Sequence, residues 1–281
     1  MLSAKKIFFI GAGNIGGAIL RALTENGHPP EAVFFHEPNE ELANKVAEAS
    51  KAQKVFSIEE GISKADLVFL CVKPQVFREI SKELQVFKAF EDLTENTHNF
   101  LVPRTPIIVS VMAGISIAAL REAFPNKSIV RTMPNIAITT KSGTVAIATD
   151  GVEEDVLQMV ESLFSACADT FRVFESQMDA VTGLSGSGPA FVFQFAEALA
   201  MGGVKTGLPR DTAMKLALST LIGSTQMLKK SKLCPGELTA SVCSPAGTTI
   251  TGLQELENKA FRGIVMAAVE AAAKRSVELG K

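Results

Sequence analysis

Lys6-Ile7-Phe8-Phe9-Ile10-Gly11-Ala12-Gly13-Asn14-Ile15-Gly16 is the stretch on which the fold turns. Residues 7–10 are an unbroken apolar run of strand length, and a GxGxxG spacing follows it and opens a helix-like segment reaching about Leu23. Glycines spaced this way are weak evidence alone, since any tight strand-to-helix turn uses them. Between a strand and a helix they have a mechanism. Gly11 makes the turn, Gly13 lets the backbone approach a pyrophosphate, and Gly16 lets helix and sheet pack closely, with the anion held at the helix N-terminus. Gly11, Ala12, Gly13, Asn14, Ile15 and Gly16 are therefore read as cofactor-binding.

Working outward, strands are expected at 6–10, 32–36, 53–57, 66–72, 107–112, 128–133, 144–149 and 170–174. Each is continuously apolar rather than alternating, as in parallel strands covered by helices on both faces. Residues 1–174 thus read as an α/β, doubly wound, Rossmann-type parallel-sheet domain that binds a dinucleotide. From Glu175 the strand signals stop, and 175–281 reads as an all-α domain with helices at 189–201, 209–230 and 259–279. Pro189 and Pro209 stand near first-turn positions, and Gly202-Gly203 reads as a stop. The polar, turn-rich stretch 84–106 reads as a surface loop or frayed helix without a catalytic part.

Three further strand ends belong to the cofactor site on this reading. Glu37, just past the second strand and about 20 residues beyond the third glycine, is placed to accept hydrogen bonds from the adenine ribose. A carboxylate there repels a 2′-phosphate, which favours NADH over NADPH. Val72-Lys73-Pro74 and Ala113-Gly114 stand at carboxyl ends of their strands, where doubly wound folds bind ligands; Lys73 offers a phosphate or ribose contact, while Pro74 and Gly114 shape their loops.

Composition excludes several classes. The chain has 281 residues, 47% of them hydrophobic, and a formal net charge of -2, which gives no basic footprint for nucleic acid. Cys71, Cys167, Cys234 and Cys243 lack metal-ligand spacing, and with only His28, His36 and His98 no metal site is expected. Reduced thiols, no membrane-length apolar run and no targeting segment point to a soluble cytoplasmic protein. Tyrosine is absent, which rules out Tyr-Lys dehydrogenase chemistry, and the three histidines are poorly placed for a His-Asp base. A substrate that needs little acid-base help, such as an imine protonated before it accepts hydride, suits this inventory.

In Phe191-Val192-Phe193-Gln194-Phe195-Ala196-Glu197-Ala198-Leu199-Ala200-Met201 only Gln194 and Glu197 are polar, and 264–273 carries Glu270 as its single charge. Helices apolar on all sides must be covered on all sides, which points to a second subunit rather than to a compact bundle.

Two longer stretches carry a resemblance. Asp179-Ala180-Val181-Thr182-Gly183-Leu184-Ser185-Gly186-Ser187-Gly188-Pro189-Ala190 and Val242-Cys243-Ser244-Pro245-Ala246-Gly247-Thr248-Thr249-Ile250 resemble the paired signatures of the pyrroline-5-carboxylate reductase family. The similarity extends to Arg131-Thr132-Met133-Pro134-Asn135 and Gly202-Gly203-Val204-Lys205. It implies NADH- or NADPH-dependent reduction of the small cyclic imine 1-pyrroline-5-carboxylate to proline. It also implies a domain-swapped homodimer, with a decameric ring as the larger assembly. By the same resemblance Glu175, Ser244, Ala246, Gly247, Thr248 and Thr249 bind substrate, Thr249 donates to the ring nitrogen, and Asn135 and Ser241 lie by the cofactor. The residues agree in part: 244–249 is a small-residue loop with three hydroxyls leading into a helix at 250–258, suited to a carboxylate. Ala246 replaces a frequent glycine, Ser241 a frequent Asn and Glu37 a frequent Ser. Two rivals are another imine or hydroxyacid reductase on this architecture and an NAD(H)-binding protein without turnover. The residues 191–201 contain no lysine, which counts against a β-hydroxyacid dehydrogenase.

Overall fold

A computed structural model of the chain describes residues 5–77, 79–81 and 106–280. Apart from Pro106, the stretch 84–106 lies outside them. The chain divides into two compact units, 1–186 together with 272–281, and 187–271. The division differs from a simple cut at 174/175: residues 175–186 and the end of the last helix count with the sheet.

The first unit is built on an eight-stranded sheet. Its strands are β1 (Ile7–Ile10), β2 (Val33–His36), β3 (Gln53–Lys54), β4 (Leu67–Leu70), β5 (Ile107–Ser110), β6 (Ile129–Pro134), β7 (Gly143–Thr149) and β8 (Ala168–Arg172), in the order β3-β2-β1-β4-β5-β6-β7-β8. Every pairing is parallel except β6 with β7. Around it stand α1 (Asn14–Glu25), α2 (Glu40–Ser50), α3 (Ile58–Lys64), α4 (Ile117–Ala123) and α5 (Glu154–Phe164). The strand order reverses direction between β1 and β4, and this is where an open α/β sheet offers its crevice.

Continuous apolar runs are explained by the packing. Ile7, Phe9, Leu67, Phe69, Val109 and Val130 face one core, while Phe8, Ile10, Val68, Leu70, Ile108 and Ile129 face another on the opposite side. Phe9 stacks on Phe69 with ring centroids 4.8 Å apart, and Phe164 of α5 meets Phe69 edge-on at 6.0 Å. Truncating such a residue, as in Phe9→Ala, costs about 3–5 kcal/mol. β8 departs from the expectation. It begins at Ala168 rather than at 170, and most of it is exposed, because it is an edge strand that meets only β7.

Beyond β8 the chain forms a four-residue helix, α6 (Met178–Val181), and a π-helical turn over Thr182–Gly186. The π turn lies against β6: a Cβ on Gly186 would come within 2.7 Å of Met133 Cε, so a larger residue here would have to displace the end of the Met133 side chain.

The second unit holds α7 (Gly188–Lys205), α8 (Arg210–Lys230), α9 (Pro235–Ser241), α10 (Thr248–Asn258) and most of α11 (Phe261–Leu279). Gly202-Gly203 is not the stop the sequence suggested; α7 runs through both. A Cβ on Gly203 would meet Ala213 Cβ and Leu208 Cδ1 at 3.2 Å, so this glycine serves the close approach of α8. The helix ends instead before Gly207, whose φ is +105°. Among the described residues no helix is long and apolar enough to cross a membrane.

Candidate functional site

β1, β2, β4 and β5 are mutually parallel, so their carboxyl ends share one edge of the sheet. Gly11 to Gly16, Glu37, Val72 to Pro74 and Ala113-Gly114 all follow these ends. The structure thus brings the cofactor candidates of the first unit to one edge.

The glycines differ in what they do. Gly11 has a φ of +90°, and a Cβ there would lie 2.9 Å from the Cys71 carbonyl oxygen and 3.1 Å from Val72 Cγ1. On Gly16 it would lie 2.6 Å from the Gly11 carbonyl oxygen. These two are demanded by packing. A Cβ on Gly13 meets nothing within 4 Å, so the backbone there is open to a ligand. Gly17 was overlooked in the sequence: a Cβ on it would stand 2.9 Å from the Ala12 carbonyl oxygen, so it too belongs to the tight turn.

Gly13 is the N-cap of α1 and supplies no side-chain cap, and the first turn carries no acidic residue. The leading N–H groups are left for an external anion, next to the positive end of the helix dipole. Open backbone and uncapped amides together fit the pyrophosphate of a dinucleotide.

Glu37 is half-buried beside this loop. Its Oε2 accepts from the Ala12 N–H at 3.0 Å and its Oε1 from the Asn39 N–H at 3.1 Å. Each carboxylate oxygen keeps a free lone pair, so the brace and a ribose contact are compatible. The Lys73 side chain is exposed, and its carbonyl accepts from Val76 and Phe77 in the helical stretch that opens at Pro74. Cys71, packed beneath Gly16, has its thiol pushed far up by burial and is inert at neutral pH.

Asn135, past the end of β6, uses its side-chain oxygen on the Thr144 N–H at 3.2 Å, which holds the β6–β7 connection. Its amide nitrogen has no hydrogen-bond partner among the described residues. Glu175 is bound within the first unit: its Oε1 accepts from the Ile117 N–H at 2.6 Å and from Arg131 Nη1 at 3.1 Å. Sequence reading missed Arg131 as its partner. The signal was present, since a lone arginine in the apolar run of β6 requires a nearby acid. His28 and His36 face the Lys5 and Val55 backbone carbonyls, which is a structural use of both rings.

In the second unit Ser241, Ser244, Ala246, Gly247, Thr248 and Thr249 cluster between α9 and α10. The helix starts earlier than 250, so Thr248 and Thr249 occupy its first turn, with Gly247 as an N-cap that offers no side chain. Neither threonine hydroxyl has a hydrogen-bond partner among the described residues. Gly247 N donates to the Ser244 carbonyl at 3.0 Å, and a Cβ on Gly247 would collide with Ser244 Oγ. Ala246 adopts φ +56°, a left-handed conformation that suits glycine better. Ser241 Oγ turns back to the Leu238 carbonyl at 2.7 Å. The α10 start therefore leaves its leading N–H groups without a side-chain cap beside the Thr248 and Thr249 hydroxyls, an arrangement suited to an anion.

A doubly wound sheet with an open glycine loop on an uncapped helix defines a dinucleotide-dependent oxidoreductase. Residues 6–94 match the family described as NADP oxidoreductase, coenzyme F420-dependent, and residues 175–279 match that described as pyrroline-5-carboxylate reductase dimerisation. The chain belongs to the pyrroline-5-carboxylate reductase family. It is 37% identical over 274 residues to the pyrroline-5-carboxylate reductase of Synechocystis sp., covering 97% of each chain. With the Arabidopsis thaliana pyrroline-5-carboxylate reductase it shares 39% over 279 residues, covering 98% of this chain and 96% of the relative. Among solved structures, the Plasmodium falciparum pyrroline carboxylate reductase with NADP bound matches with a TM-score of 0.85 and 28% identity over 99% of both chains.

Proposed function

We propose that this protein reduces 1-pyrroline-5-carboxylate to proline with a reduced nicotinamide dinucleotide. The observation that carries the reading is the 37–39% identity to pyrroline-5-carboxylate reductases over nearly the whole chain. The open Gly13 cradle and the uncapped start of α10 support it, because the reaction needs one site for a pyrophosphate and another for a carboxylate.

When bound, the reduced nicotinamide supplies hydride to the imine carbon while the ring nitrogen ends with the proton of a secondary amine. The chain's own residues hold and orient. Gly11 to Gly16 hold the pyrophosphate, with Val72, Lys73, Pro74, Ala113, Gly114 and Asn135 along the same sheet edge and Ser241 as a further contact. The N–H groups of Ala246 and Thr248 and the Ser244 and Thr248 hydroxyls hold the carboxylate. Thr249 donates its hydroxyl proton to the ring nitrogen or orients the protonated imine.

Glu37 makes NADH the preferred cofactor, since its carboxylate repels a 2′-phosphate. The functional division falls at 174/175, with a dinucleotide-binding part before it and a substrate-binding, dimerising part after it. We take the working form as a domain-swapped homodimer, with a decameric ring as its larger assembly. Apolar side chains of the second unit support a dimer: Phe193 is 65%, Ile264 62% and Met266 71% exposed in the single chain. Four unpaired cysteines agree with a reducing cytoplasm.

The test is turnover. Purified protein with pyrroline-5-carboxylate should oxidise NADH faster than NADPH and yield proline. No oxidation of either cofactor would overturn the reading.

A further inference from the structure

We propose that Glu175 is a positioning residue, which holds the Ala113–Ile117 loop in place as one wall of the cofactor crevice and does not itself touch substrate. The proposal deepens the reductase reading and rests on it for the identity of the crevice.

Three observations meet at this loop. The first is the fork at Glu175 Oε1, which accepts from the Ile117 N–H at 2.6 Å and from Arg131 Nη1 at 3.1 Å. The Ile117 N–H is the first of α4, one of the donors a helix leaves unpaired, so Glu175 caps α4 from outside alongside Ser116 Oγ on Ala119 N–H at 3.1 Å. Arg131 is a charge on a central strand with its side chain 8% exposed, and Glu175 is its ion-pair partner. The carboxylate therefore couples β6 to the loop after β5.

The second is the anchoring of the segment that carries Glu175. Met178, within the next turn, is fully buried against Ala146 and Ala148 of β7. Asp179 accepts from Ser276 Oγ at 2.6 Å, and Ser276 is 3% exposed. The third lies on the loop's other side. Gly114, at φ +75°, lies close to Gly280, where an added Cβ would come within 2.6 Å of the Gly114 carbonyl oxygen. The loop is thus bonded to Glu175 at one end, and residue 280 lies close against it at Gly114.

β5 lies next to β4 and parallel to it, so the loop stands at the same sheet edge as Gly11 to Gly16. A displacement of about 1 Å at an active site costs up to roughly 100-fold in rate, so a wall that positions the cofactor must be held firmly. Glu175→Ala removes the acceptor for Ile117 and leaves Arg131 uncompensated. Glu175→Gln keeps an acceptor for the Ile117 N–H and removes only the charge.

The experiment reads three quantities on the full-length protein: NADH affinity by fluorescence titration without substrate, amide exchange at Ile117, and steady-state constants. For Glu175→Ala we expect the NADH Kd to rise by roughly tenfold, the equivalent of about 1.4 kcal/mol. Ile117 exchange should quicken, and the KM for pyrroline-5-carboxylate at saturating NADH should stay within about twofold of wild type, since the wall acts on the cofactor. Glu175→Gln should recover most of the affinity, a rescue that simple loss of stability would not give. If Glu175→Ala is poorly folded, Glu175→Gln paired with Arg131→Met removes both charges of the ion pair and keeps the cap, and it should bind NADH as Glu175→Gln does. Wild-type NADH affinity and Ile117 exchange in Glu175→Ala, with a raised substrate KM, would overturn the proposal and make Glu175 a substrate ligand. A wild-type protein that binds NADH without turning over pyrroline-5-carboxylate would fail the reductase reading alone, leaving the affinity and exchange comparisons valid.

Discussion

Glu37 Oε2 and the backbone N–H of Ala12 are joined by a 3.0 Å hydrogen bond, so the residue just beyond β2 braces the glycine loop after β1. The carboxylate has two separable effects, a charge at the ribose end and a mechanical hold on the loop. Glu37→Ser removes both. We expect the NADPH to NADH ratio of kcat/KM to rise roughly tenfold to 100-fold, from about 1–3 kcal/mol of relieved repulsion. Affinity for NADH should fall, because serine is too short to reach Ala12 and leaves a buried N–H unpaired at about 1–3 kcal/mol, whereas for NADPH this loss and the relieved repulsion oppose each other. An unchanged ratio would mean that the adenine ribose lies elsewhere.

Gly13 and Gly16 should separate binding from folding. Gly13→Val places its side chain in open space at an ordinary backbone angle, so melting should move by no more than about 2–4 °C while dinucleotide binding is lost. Wild-type protein at an NADH concentration of about 100 Kd should gain roughly 2.7 kcal/mol of stability, and Gly13→Val should gain none. Gly16→Val drives a side chain into the Gly11 carbonyl and Cys71, and should cost stability even without cofactor. Tight NADH binding by folded Gly13→Val would remove this loop from the cofactor site.

Thr249→Val keeps the shape of the α10 start and removes one donor. Because the substrate can arrive already protonated, the loss in kcat/KM should be roughly 10- to 1000-fold, from about 1.5–4 kcal/mol, with NADH affinity unchanged. If Thr249 supplies the proton, the loss deepens at high pH, where less imine is protonated; if it only positions the ring, the loss is even across pH. Wild-type kcat/KM throughout the range would take Thr249 out of the mechanism.

Ala246 sits in the left-handed region with its side chain exposed in the single chain. Ala246→Gly should stabilise the protein by about 0.5–1 kcal/mol, the relieved strain exceeding the extra freedom of glycine when unfolded. Chemical denaturation reads this directly. A destabilised Ala246→Gly protein would show that the methyl group has packing value.

The sheet was legible because nearly every strand is buried on both faces, and such runs stand out against their helical neighbours. The reversal at β7 was not, since a strand covered on both sides reads alike whether parallel or antiparallel. Gly202-Gly203 misled because glycines that admit a neighbouring helix look the same in sequence as glycines that end one. In the site, the Gly11–Gly16 loop and the α9–α10 loop could be found locally, each being a run of small residues beside a helix start. The Glu175–Arg131 pair spans 44 positions and could be found only by asking which acid a buried arginine must meet.

Between residues 187 and 271 the single chain buries only four side chains, Ala196, Ala200, Ala213 and Ala217. A few methyl groups at about 0.8 kcal/mol each cannot offset the ordering of so many residues, at about 1.5 kcal/mol per residue. On the proposed dimer this helical segment becomes firm only when two chains meet. Dilution then acts as a selective reagent: below the dissociation constant the substrate loop on α10 loosens while the sheet with its own two-sided core persists. Turnover per chain should therefore vanish at protein concentrations where NADH still binds, and on refolding NADH binding should return first, with turnover following only at second-order rates.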